Sequence, residues 1–139
     1  MNYKRYVGVI IKHDGKFLIC KRNPEGSTEG MWSIPAGKIE PQEDVRLAAK
    51  REFFEETAIN IDNQDLKFVG MIPRYSRDGK RMKGLMYTYM IEVETPCHPN
   101  LEEAIDGQEH SECGYFSVED IKSLSIDTFL YSLFEFISK

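Results

Sequence analysis

Three glutamates, Glu52, Glu55 and Glu56, stand at i, i+3 and i+4 within Asp44 to Thr57, a stretch without glycine or proline. On a helix turning about 100° per residue, their carboxylates share one face and lie within reach of one another. Like charges at that spacing cost roughly a few tenths of a kcal/mol per pair. Arg51 can pair with Glu55 at i+4, but one guanidinium cannot neutralise three carboxylates. A hard divalent cation can, because Mg²⁺ and Mn²⁺ take carboxylate oxygens and bridge to substrate phosphates. Ala48 and Ala49, one turn earlier, leave room beside the cluster. Upstream, Pro35-Ala36-Gly37 reads as a tight turn whose carbonyls can face the same ion, and Asp44 reads as the helix N-cap. The competing reading of the three glutamates is a solvated acidic face.

The rest of the chain must hold that helix in place. Apolar runs Tyr6 to Ile11 and Phe17 to Cys20, on either side of His13-Asp14-Gly15-Lys16, predict a β-hairpin. Pro24 to Gly30 reads as a polar loop, and Met31 to Ile34 as a short strand ending at Pro35. Leu66 to Ile72 and Leu85 to Val93 read as strands, with a turn at Asp78-Gly79. Thr95 to Gly114 reads as a long acidic loop before a last short strand, Tyr115 to Ser117. Ser117 and Asp120 resemble a capping pair for a short helix, Val118 to Leu124. Ile126, Phe129, Leu130, Leu133, Phe134 and Ile137 form one apolar helical stripe, which predicts a helix packed on a sheet. Strands that precede, separate and follow helices predict an α/β fold, a mixed sheet with helices on its faces.

At 139 residues, one domain over 1–139 is expected. With 18 basic and 23 acidic side chains, the net charge of −5 argues against bulk nucleic-acid or anionic-membrane binding. The charges are segregated. Arg74 to Lys83 holds Arg74, Arg77, Lys80, Arg81 and Lys83, whereas Glu92 to Glu112 holds acids and no lysine or arginine. Such blocks are either solvated loops or the two walls of a pocket suited to a metal and a phosphate. Cys20, Cys97 and Cys113 are too few and too scattered for a disulfide framework or a zinc site, so a reducing compartment, the cytoplasm, is expected. The apolar run Val7 to Ile11 is too short for a signal-peptide core or a membrane span.

Gly37, then Glu43, then Arg51-Glu52 and Glu55-Glu56 resemble the Nudix hydrolase box, G-x5-E-x7-R-E-U-x-E-E-x-G-U, with U a bulky apolar residue. With each type near roughly 6% of residues, six chance matches come to on the order of 10⁻⁸ to 10⁻⁷ per window. Two positions depart: Phe53 stands where an aliphatic is usual, and Ala58 where glycine is usual. Met31 to Glu40 is similar to the family's approach to the box, and Glu109 to Ser117 to its later acidic loop.

The resemblance implies a Nudix-type α/β/α sandwich and metal-dependent water attack on a phosphoanhydride of a nucleoside triphosphate or other nucleoside diphosphate-linked compound. ADP-ribose, a dinucleoside polyphosphate or a capped RNA end is the alternative substrate, and a non-catalytic nucleotide sensor is the alternative role. It implies Glu52, Glu55, Glu56 and the Ala36 carbonyl as ligands of Mg²⁺ or Mn²⁺, with Arg51 holding a glutamate, Glu43 being a candidate partner. It places a general base among Glu52, Glu109 and Glu112, with His110 a weaker candidate by residue type. Lys21, Arg22, Arg74 and Arg77 are candidates for phosphate, and Trp32 for stacking on a base or for the core. The partner implied is a small-molecule nucleotide, and a homodimer is compatible with it.

Overall fold

A computed structural model describes residues 4–23, 30–76, 78–126 and 128–137. The expected loop from Pro24 lies outside the described residues except for Gly30, and so does Arg77. Strands β1 (Lys4–His13) and β2 (Lys16–Arg22) form the expected hairpin. Asp14 and Gly15 take positive φ, 50° and 76°, as a tight two-residue hairpin turn demands. Strand β3 (Trp32–Ser33) pairs with β2, and β4 (Ala36–Lys38) with β1. Helix α1 (Val45–Thr57) leads to the antiparallel pair β5 (Lys67–Tyr75) and β6 (Met82–Glu92). β6 runs parallel to β1, from Lys4 opposite Gly84 to Lys12 opposite Glu92. After β7 (His110–Phe116), which pairs with β2, come helices α2 (Val118–Ile121) and α3 (Thr128–Ile137). The strand order is β3-β2-β1-β6-β5, with β4 on β1 and β7 on β2.

β1 is the central strand, and its alternation divides the core. Tyr6 and Ile10 join Phe129, Leu130 and Leu133 of α3, while Val7, Val9 and Ile11 join Ala48, Ala49 and Phe53 of α1. A strand covered on both faces reads as a continuous apolar run, which is why Val7 to Ile11 shows no polar alternation. The result is the α/β/α layering expected from the sequence.

The structure differs from the sequence reading in several places. Pro35-Ala36-Gly37, read as a tight turn, leads instead into strand β4, where Ala36, Gly37 and Lys38 pair with β1. β7 starts at His110 instead of Tyr115, because its polar first residues, His110-Ser111-Glu112, are strand only by pairing with β2. α2 ends at Ile121 instead of Leu124. Cys20 and Cys113 sit opposite each other on β2 and β7 and are joined as a disulfide, a pairing that the scattered cysteines of the sequence do not signal. Their separation of 93 residues hides a register that brings the Cα atoms to 4.0 Å. Among the described residues, no helix is long and apolar enough to cross a membrane.

Candidate active site

α1 begins where Asp44 accepts a hydrogen bond from the Leu47 amide at 3.1 Å. It ends at Ala58, whose φ of 64° is left-handed, with its amide on the Phe54 carbonyl at 2.8 Å. Between these caps, β4 lies beside the helix because Gly37 pairs with Val7 of β1. A Cβ on Gly37 would overlap the Glu52 carboxylate, so only glycine lets that carboxylate rest against β4.

Arg51 organises the other acids. It grips Glu43 with two prongs, Nε to Oε2 at 2.7 Å and Nη2 to Oε1 at 2.9 Å. Its Nη1 donates to Glu52 Oε1 at 3.0 Å and Glu55 Oε2 at 3.0 Å, and its Nη2 to the Lys38 carbonyl at 3.2 Å. The hydrogen bond from Arg51 pulls Glu43 below the usual carboxylate range. Glu52 is pushed up to about 7, mainly by burial, with Arg51 opposing and the charges of Glu56 and Glu55 adding to the rise.

Glu56 faces inward and is fully buried. Its Oε1 lies 2.8 Å from Nε2 of the equally buried His110, while its Oε2 has no hydrogen-bond partner. Burial, then the charge of Glu109, raises Glu56 well above the usual range. Burial, then Arg22, pushes His110 down to about 4.

A cleft of ≈ 400 Å³ opens over this helix. Glu52, Asp106 and Glu109 line it with acid, Arg22, Lys38 and Arg74 with base, and Tyr6, Ile34 and Met86 with apolar surface. The two charge blocks of the sequence therefore meet at one pocket. The Asp106 amide donates to the Glu55 carbonyl at 2.7 Å, which ties the acidic loop to α1.

The candidate residues separate by position. Ala36, Glu52, Arg22, Arg74 and Glu109 line the cleft. Arg22 and Glu109 approach to 3.9 Å across its mouth. Glu55 is held by Arg51, and Glu56 lies in the interior beside His110. Glu112 is exposed on β7 opposite Lys21, and neither is among the cleft-lining residues. Trp32 is also absent from the lining. It is core, the second of its two readings: its ring packs edge-on against Phe116, 5.1 Å between centroids. Sequence reasoning missed Asp106, one acid among many in its block, and the burial of His110 against Glu56. Neither has a local signal, since both depend on how the 3₁₀ turn Gly107–Glu109 docks on α1.

The donors here fit a hard divalent cation. Glu52, Glu55, Glu56 and the Ala36 carbonyl offer oxygen only, Glu56 Oε2 is a buried acceptor without a partner, and Gly37 leaves no bulk between Glu52 and β4. As they stand, no three acidic, His or Cys side chains among the described residues close into a ready cage. Arg51 holds Glu52 and Glu55 to itself instead.

Residues 2–135 match the family model described as the NUDIX domain. The chain is 26% identical over 133 residues to nucleoside triphosphatase NudI of Klebsiella pneumoniae, covering 91% of each protein. It is 42% identical over 53 residues to the CTP pyrophosphohydrolase of Escherichia coli, a match that takes in 38% of this chain and 39% of that protein. A MutT protein from Methanosarcina mazei has the same fold, with a TM-score of 0.74 at 21% identity over 98% of this chain and 94% of that one.

Proposed function

The chain belongs to the Nudix hydrolase family, and on that footing we propose that it is a divalent-metal-dependent pyrophosphohydrolase of nucleoside triphosphates or related nucleotides. The observation that carries this reading is one cleft lined by both charges, the carboxylates of Glu52, Asp106 and Glu109 together with the cations of Arg22, Lys38 and Arg74, with Glu52 packed against Gly37. The triphosphatase and pyrophosphohydrolase relatives point to the same chemistry.

Glu52, Glu55, Glu56 and the Ala36 carbonyl would hold the cation. When bound, it supplies charge neutralisation for cleavage of a phosphoanhydride. The chain's own groups do the rest. Arg22 and Arg74 hold phosphate oxygens, and Arg51 orients the glutamates without touching substrate. Glu109, at the cleft mouth, accepts the proton of the attacking water as its oxygen bonds to phosphorus and the P–O bond of the anhydride breaks. Glu112, turned away from the cleft, takes no part. Glu109→Gln is therefore expected to lower kcat roughly 10²-fold, and Glu112→Gln to leave it within about two-fold. Equal losses from both would remove the assignment.

The direct test is release of phosphate and pyrophosphate from a nucleotide panel, with and without Mg²⁺ or Mn²⁺. Metal-dependent cleavage of an anhydride bond is expected. Cleavage that is unchanged by chelator, or binding without cleavage across the panel, would overturn the reading.

A further inference from the structure

The cationic side of the cleft does not stop at Arg74. The Arg74 guanidinium lies 4.5 Å above the ring of Tyr6, and Tyr6 lines both the cleft and a second recess of ≈ 260 Å³. That recess is lined by Lys4, Tyr6, Arg81, Met82 and Lys83. Its layout follows from the sheet. Lys4 of β1 and Arg74 of β5 both pair with Gly84 of β6, so one row across three strands sets two cations around a residue without a side chain. A Cβ on Gly84 would overlap the Lys4 carbonyl and come within 2.8 Å of the Tyr6 ring, so glycine keeps this row close-packed. The pairing of β5 with β6 shifts between Arg74 and Tyr75, and that irregularity sets the strand end where Lys83 lies.

Among the described residues, Lys4, Arg74, Arg81 and Lys83 make no ion pair. The acid of the adjoining turn, Asp78, is engaged by the Ser76 hydroxyl at 2.6 Å and the Lys80 amide at 3.0 Å. Lys83 is held below the usual ammonium range by burial and then by Arg74, Arg81 and Lys4. Four cations without an ion pair among the described residues, in a chain of net charge −5, form a concentrated site for negative charge.

We propose that this recess is a phosphate subsite that takes the phosphates of a substrate chain extending beyond the scissile pyrophosphate. The proposal rests on the hydrolase reading for the position of the scissile bond and deepens it. It makes the preferred substrate a nucleotide with a chain of three or more phosphates, laid from the acidic end of the cleft past Arg74 and Tyr6 toward Lys4 and Lys83. The phosphates of a diphosphate-linked compound such as ADP-ribose end before the recess, and its terminal ribose offers no charge to it.

The test is the double variant Lys4→Gln/Lys83→Gln, with Lys4→Arg/Lys83→Arg as the control that keeps the charge. Sodium tripolyphosphate and sodium pyrophosphate are titrated calorimetrically into each protein without metal. Wild type is expected to favour the longer chain roughly 5- to 10-fold, the glutamine variant to lose that preference, and the arginine variant to keep it. Turnover gives the second arm: the ratio of kcat/KM for diadenosine tetraphosphate over ADP-ribose falls by a similar factor only in the glutamine variant. No preference for the longer chain in wild type, or a preference that survives in the glutamine variant, overturns the subsite. A preference that depends on Lys4 and Lys83 in a protein that cleaves no nucleotide would keep the subsite and overturn the hydrolase reading.

Discussion

Gly37 and Glu52 show how narrow the tolerances of the site are. Adding one methyl group at Gly37 would displace the Glu52 carboxylate from its place against β4. Gly37→Ala is therefore expected to lower turnover by roughly 10²-fold while weakening Mn²⁺ binding, as read from the free-ion resonance signal. Mn²⁺ affinity equal to wild type would remove Glu52 from the ligand set. The buried acids also set a pH dependence. Glu52 is held at about 7 instead of an ordinary 4.5, so the folded chain keeps a proton that the unfolded chain has lost. That contribution to stability falls as pH rises through the window, and Glu56 acts in the same direction. His110, at about 4 against an ordinary 6.5, acts oppositely: its contribution is present above 6.5 and lost as pH falls toward 4. The slopes oppose each other below about pH 6.5, and above it the glutamates act alone. Metal-free protein is expected to lose stability between about pH 6.5 and 8, and saturating Mg²⁺, which favours the ionised carboxylates, to flatten that loss. Urea unfolding across the range with chelator or Mg²⁺ checks it, and a flat metal-free profile would contradict it.

At the scale of elements, α1 leaves through a residue poorly suited to its backbone. Ala58 holds φ at 64°, where glycine carries no steric penalty. Ala58→Gly is expected to raise stability by about 0.5–1 kcal/mol in thermal unfolding and to leave turnover within about two-fold. A drop in stability would mean that the Ala58 side chain packs more usefully than its backbone suffers. This helix was also the most legible element, since its cap at Asp44, its acidic face and its end are all local signals. The hairpin at Asp14-Gly15 was legible for the same reason. β7 was not: His110-Ser111-Glu112 has no strand pattern of its own and takes strand form only against Lys21 and Arg22. The site divides along the same line. Glu52, Glu55 and Glu56 announce themselves by spacing, whereas Asp106 and the His110–Glu56 contact depend on the docking of a loop far along the chain.

For the whole molecule, the disulfide is the longest-range covalent constraint, closing a separation of 93 residues between β2 and β7. Cys113→Ser is expected to lower the unfolding free energy by on the order of 2–4 kcal/mol, read by urea unfolding in parallel with reduced wild type. Identical stability of oxidised and reduced protein would show that the two thiols contribute as well when unpaired. β1 concentrates a different kind of dependence. Val7 and Ile10 serve opposite cores, Tyr6 lines the cleft, Val7 pairs with Gly37, and Lys4 reaches the recess. A strand with that many duties has little freedom to diverge. On the proposed phosphate subsite, changes that retune substrate preference fall most easily on Lys83 and Arg81, which stand outside both cores, and least easily on β1. Descendants of this sequence would accordingly acquire new substrates at the β5–β6 end and keep β1 nearly unaltered.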